Sequence, residues 1–235
     1  MSRKMGSVPV FLLLAFLLVA LSAAHAQIDP RLMPAVGAVR MGDFAQAIDL
    51  LKPYLAKNEA DAQYVMGVVM ESRPEPERDL HAARDWYLRA AANGSAAARN
   101  SLGIMAYSGK GVDKDLGEAV RWFREAADAG HPEGQFNLGM RLLDGEGVRQ
   151  SPVEAVALFR RSAEQGYSWS QLYLGVALQK GIGIQRDLAA AHGWILKAAE
   201  GGNKAAMREL VRIYRMGLGV ASDEKRAAAW EELAR

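Results

Sequence analysis

Leu102-Gly103-Ile104-Met105-Ala106-Tyr107-Ser108-Gly109-Lys110-Gly111-Val112-Asp113-Lys114-Asp115 decides the fold, because its features return three times along the chain. The later copies carry Leu138-Gly139 with Gly145-Glu146-Gly147-Val148, Leu174-Gly175 with Gly181-Ile182-Gly183, and finally Gly217-Leu218-Gly219-Val220. Their paired glycines begin at 109, 145, 181 and 217, a constant interval of 36 residues without insertion or deletion. A fixed period of this length marks a solenoid, since one helical hairpin cannot bury its apolar face alone and must stack on a copy of itself. The predicted fold is all-α, an array of antiparallel helix pairs.

Other columns obey the same ruler. Trp86, Trp122, Leu158, Trp194 and Trp230 form one, and Gly67, Gly103, Gly139 and Gly175 another. Asp43, Asp79, Asp115, Ser151, Asp187 and Asp223 each precede an Ala-rich helical pattern, where a side-chain oxygen can accept from free N–H groups at a helix start. In one repeat the pattern predicts a first helix over Ala96–Ser108 and a second over about Asp115–Ala129. The first glycine of each pair follows the last apolar position of the first helix, where a left-handed cap suits Gly. The second lets the turn reverse, and Val112, Val148, Ile184 or Val220 can tuck back behind it. Gly103, Gly139 and Gly175 fall inside helices, where Gly is about 1 kcal/mol worse than Ala. Their recurrence predicts a neighbouring helix too close for a side chain. The Trp column is expected to be core.

Ala98, Leu102-Gly103, Tyr107, Gly109-x-Gly111-Val112, Asp115, Ala119, Trp122, Ala126-Ala127 and Gly130 together resemble the Sel1-like repeat, a relative of the tetratricopeptide repeat with a longer inter-helix turn. The resemblance covers residues 59–235, about five units, the first degenerate and the last truncated. It implies a right-handed superhelical solenoid that acts as a protein-binding scaffold, without a cofactor and without catalysis as its usual business. Three departures stand out. Residues 71–78 lack the Gly-x-Gly, Leu158 replaces Trp, and Val211 replaces the helical Gly, the last two predicting local repacking.

Ahead of the array, residues 27–58 read as a tetratricopeptide-like capping pair, with helices over Leu32–Met41 and Phe44–Leu55 around a Gly42-Asp43 turn. Pro53 is expected to bend or end the second. Residues 1–26 read as a secretory signal: basic Arg3 and Lys4, the apolar run Phe11–Leu21, and the small-residue site Ala24-His25-Ala26. The alternative is a retained anchor, since the charge-free stretch from Met5 to Ala24 just reaches the roughly 20 residues that span a bilayer. Cleavage after Ala26 makes the protein periplasmic or secreted, and the mature chain needs no membrane. It also removes two of the 29 basic residues, leaving 27 against 27 acidic ones, which gives no bulk attraction to nucleic acid. The chain has no Cys, hence no disulfide, thiolate or cysteine-held metal.

Little in the sequence carries chemistry. His81, His131 and His192 fall at different phases of the repeat without metal-ligand spacing, and His131 is expected at the surface. Ser222-Asp223-Glu224-Lys225 matches the S-x-x-K of serine acyl enzymes, but no S-D-N or K-T-G accompanies it. Resemblance to cysteine-rich family members linked to penicillin binding and hydrolysis leaves a peptidoglycan- or β-lactam-directed hydrolase as the alternative function. Binding is the primary expectation, through an inner, concave surface made by the first helices. Four positions per helix define that face: Ala97, Ser101, Ile104 and Ser108; Glu133, Asn137, Met140 and Asp144; Trp169, Tyr173, Val176 and Lys180; Ala205, Glu209, Arg212 and Met216. The candidate protein-binding residues are Trp169, Tyr173, Lys180, Glu133, Asn137, Asp144, Glu209 and Arg212, for a cell-envelope partner. Trp169 is either an interface anchor or packing against the next repeat.

Overall fold

A computed structural model describes residues 28–235, so the expected signal segment lies outside the described residues. These residues form twelve α-helices and no strand, in two compact units divided between Lys114 and Asp115. The first unit opens with a 3-10 turn, Pro30–Leu32, and continues with α1 (Met33–Met41), α2 (Phe44–Leu55), α3 (Ala60–Ser72), α4 (Leu80–Ala92) and α5 (Ala96–Ser108). The second holds α6 (Leu116–Asp128), α7 (Pro132–Asp144), α8 (Pro152–Glu164), α9 (Ser168–Lys180), α10 (Leu188–Glu200), α11 (Lys204–Met216) and α12 (Glu224–Leu233). Within each unit consecutive helices pack as antiparallel pairs, as the period requires.

Local chemistry sets the boundaries. Asp43, Asp79, Asp115, Asp187 and Asp223 each accept a backbone N–H from three residues on, at 2.8–2.9 Å. Ser151 departs from that column, because its hydroxyl bonds Glu154 Oε1 and caps no N–H. At the other end Gly109, Gly145, Gly181 and Gly217 are left-handed, with φ between 67° and 74°, and close α5, α7, α9 and α11. The second glycine does more than turn the chain. A Cβ on Gly147, Gly183 or Gly219 would lie 2.2–2.4 Å from the carbonyl oxygen of Leu116, Pro152 or Leu188, the first residue of a helix in the preceding pair.

The helical glycines behave as expected. A Cβ at Gly67, Gly139 or Gly175 would sit 2.5–2.6 Å from Tyr87, Phe159 or Ile195. Those residues, with Phe123, are the buried core column. The expectation for tryptophan is thereby corrected. Trp86, Trp122, Trp194 and Trp230 are only half-buried, one residue ahead of the core column. Adjacent residues on an α-helix differ by about 100° of rotation, so the core takes one and the flank the other. On that flank Arg89 lies over Trp86 at 4.8 Å and Lys197 over Trp194 at 4.5 Å.

The degenerate segment keeps its anchor. Asp79 N–H donates to Met70 O, and the bond recurs in register as Ser151 to Leu142, Asp187 to Leu178 and Asp223 to Tyr214. The turn after α3 therefore closes at the same point without Gly-x-Gly. A side-chain ladder joins it: Arg99, Gln135 and Gln171 donate to the carbonyls of Ala91, Ala127 and Ala163 at the end of the helix before. At the amino-terminal side α2 ends two residues beyond Pro53, which falls in its last turn.

Candidate protein-binding face

In the second unit the expected face divides by burial. Trp169 leaves 38% of its surface exposed on the first turn of α9, and Arg212, Lys180 and Asp144 are exposed. Asn137, Tyr173 and Glu209 are half-buried. Tyr173 packs edge-on to Phe136 at 5.3 Å and against Phe159 at 5.6 Å, so its ring belongs to an aromatic cluster that also takes in Tyr167. Arg212 is held in place: it forks onto Glu209, and its Nη2 donates to Gln179 Oε1 on α9 at 2.7 Å. That bond ties the exposed side of α11 to α9. Met216, at the end of the same helix, is exposed as well. In the first unit Ile104 and Ser108 are exposed, Ser101 is half-buried and Ala97 is buried.

Glu133 is the outlier. Only 8% exposed at the start of α7, it is not a surface side chain, and burial pushes its carboxyl up to about 8. Burial of the Tyr167 hydroxyl, with the Glu133 carboxyl's field added to it, raises that hydroxyl in turn. Nearby His131, expected at the surface, is 1% exposed. It serves as the N-cap of α7, Nδ1 accepting Gly134 N–H at 3.2 Å, and burial alone lowers it to about 4. Ser95 and Asn203 do the same work one repeat before and two repeats after, which explains the position. An N-cap accepts only through a neutral imidazole, so this histidine is structural. Phe136, Tyr167 and Gln179 escaped the sequence reading, because their columns carry unlike residues in neighbouring repeats.

Catalytic geometry does not assemble at Ser222. Asp223, not Ser222, caps α12, and Ser222 and Lys225 are both exposed, whereas an acyl-enzyme serine needs a base held against it in a water-poor site. Among the described residues no cluster of three or more His, Cys, Asp or Glu could hold a metal. No described helix is long and apolar enough to cross a membrane.

Stacked helix pairs repeating every 36 residues define a helical-repeat fold, of a kind typical of protein–protein interaction scaffolds. The Sel1 repeat profile matches residues 60–95, 96–131, 132–167, 170–203 and 204–234, and the chain belongs to the Sel1 repeat family. It is similar to the crystal structure of a Sel1 repeat protein from Oxalobacter formigenes, at 27% identity and a TM-score of 0.76 over 88% of this chain and 82% of that one. It is also similar to c5321, a protective antigen present in uropathogenic Escherichia coli strains, at 28% identity and a TM-score of 0.73. That match covers 97% of this chain and 48% of c5321, so the chain spans about half the length of that relative. Pseudomonas aeruginosa pilF, 23% identical with a TM-score of 0.57 over 90% of both chains, shares the fold alone. No curated protein matches the chain.

Proposed function

We propose that this Sel1 repeat protein is an exported adaptor that binds a cell-envelope protein through the inner faces of its first helices, centred on α9. The observation that carries it is Trp169, a large aromatic left 38% exposed on the first turn of α9, the helix whose other end carries the exposed Lys180. Such a residue loses little rotamer freedom on binding and brings a large apolar area to an interface, as hot-spot residues do. Export rests on the charge and apolar pattern of residues 1–26.

Co-purification from the envelope fraction under mild cross-linking tests both parts. Wild type is compared with Trp169→Ala, and Lys180→Ala serves as a second variant. Tyr173 is spared because its ring is packed. The expected result is a partner retained by wild type and depleted about tenfold or more by Trp169→Ala, as for a hot-spot truncation. Equal recovery by both proteins, with circular dichroism unchanged, would overturn the assignment to this face. Recovery of the protein only from the cytoplasmic fraction would overturn export.

A further inference from the structure

On α11 the binding face ends in Met216, a thioether left 63% exposed. Its counterparts Asp144 and Lys180 are exposed as well, although another helix pair stacks after each, so the column meets solvent by its place in the repeat. Where those repeats show a charge, this one shows sulfur. Met216 Sδ accepts from Arg212 Nη1 at 4.0 Å, one turn earlier on the same helix. The rest of that guanidinium is committed: Nε forks onto both Glu209 oxygens, and Nη2 donates to Gln179 Oε1. Gln179 is buried, so the arginine is anchored to α9. Nη1 alone has no oxygen acceptor among the described residues, and a thioether is a weak one.

An exposed sulfur with a held donor beside it gives oxidation a structural consequence. Hydroperoxides convert a thioether to a sulfoxide. The sulfur lone pair attacks one peroxide oxygen, the O–O bond breaks, and the other oxygen leaves as hydroxide. Hydroxide takes the proton of the transferred oxygen and departs as water, so sulfur gives up two electrons and the peroxide gains them. Positive charge grows on sulfur and negative charge on the leaving oxygen, and an N–H beside the sulfur stabilises the latter. Glu209 offsets the charge of Arg212, so the guanidinium offers its donor with little repulsion toward the sulfur. The sulfoxide oxygen is a strong acceptor in place of a weak one, and Nη1 is there to meet it.

We propose that Met216 is a reversible oxidation site, whose sulfoxide is held by Arg212 and turns the α11 side of the binding face from apolar to polar. Its effect on a partner rests on the proposed function of that face; the chemistry at sulfur does not. The full chain is treated with hydrogen peroxide, and oxygen uptake is followed peptide by peptide in the mass spectrometer. Met41, 85% exposed and with no donor to its sulfur among the described residues, reports exposure alone, while buried Met105 reports unfolding. Met216 is expected to oxidise faster than Met41 in wild type and no faster in Arg212→Gln, whose fold circular dichroism verifies. Oxidation is also expected to slow hydrogen exchange at the Arg212 side chain, read by NMR, and methionine sulfoxide reductases to reverse the change. A Met216 rate at or below that of Met41, or one indifferent to Arg212→Gln, overturns the proposal. So does an Arg212 signal that oxidation leaves unmoved. Co-purification reads the consequence: peroxide is expected to deplete the partner about tenfold for wild type and to spare it for Met216→Leu. Equal depletion of both overturns the regulatory role. A partner that never appears, even before peroxide, overturns the binding face instead, and the peptide rates still decide Met216.

Discussion

At the scale of single residues, glycine does two separable jobs in this chain. Gly202 has φ +84° and open space where a Cβ would stand, whereas Gly183 has φ +65° and the Pro152 carbonyl oxygen 2.3 Å from that point. Alanine at either position meets the left-handed penalty of about 1–2 kcal/mol, but only at 183 must the next turn also be pushed away. Urea unfolding is therefore expected to show Gly202→Ala losing about 1 kcal/mol and Gly183→Ala roughly 2–4 kcal/mol, the excess being the overpacking contribution. Equal losses would mean that the turn yields freely. These glycines were legible in the sequence because a left-handed cap is decided by one residue's lack of Cβ. The contact of the second glycine with the helix before it was not, since nothing at positions 181–183 encodes where Pro152 lies. The same limit explains His131 and Glu133, whose types suggest water and whose repeat neighbours exclude it.

Among the helices, boundaries came through the sequence well and faces less well. The first helix of the repeat runs from Ala96 to Ser108 as the pattern predicts, because a serine cap and a glycine stop bracket it. Which flank of a second helix meets the core is a finer question, and the tryptophan column answered it wrongly by one position. A tryptophan is large enough to lie along the edge of a core while its neighbour enters it. Caps offer a direct check at this scale. Asp187 accepts Ala190 N–H, whereas the Ser151 hydroxyl bonds Glu154 instead. Asp187→Ala is expected to lower stability by about 1 kcal/mol and Ser151→Ala by only a few tenths, read from urea midpoints. A loss at Ser151 as large as that at Asp187 would contradict the hydrogen bonding described.

For the whole molecule, two buried ionisable groups shape stability against pH in opposite directions. His131 is lowered from 6.5 to about 4, so the unfolded chain takes up its proton first, and stability falls as pH drops from about 6.5 to 4. Glu133 is raised from 4.5 to about 8, so the folded chain holds its proton longer, and stability falls as pH rises from about 4.5 to 8. Between roughly 4.5 and 6.5 the two slopes cancel. Thermal or urea unfolding across this range is expected to show Glu133→Gln removing the decline above pH 6.5 relative to wild type. His131→Asn, which keeps a cap of the kind Asn203 provides, is expected to leave a decline that starts near 4.5. Parallel profiles for wild type and Glu133→Gln would show that the carboxyl is solvated.

The contact between each second glycine and the helix start behind it has a further consequence, for the pitch of the array. Gly147 gauges itself against Leu116, Gly183 against Pro152 and Gly219 against Leu188, so each turn in the second unit is set by its predecessor's backbone and not by a flexible side chain. Side chains on α7, α9 and α11 are then offered at a fixed interval, like teeth cut by one tool. A ligand reaching across two of these helices meets a spacing independent of the residues displayed. Sequence can vary freely on the display side while the interval stays constant.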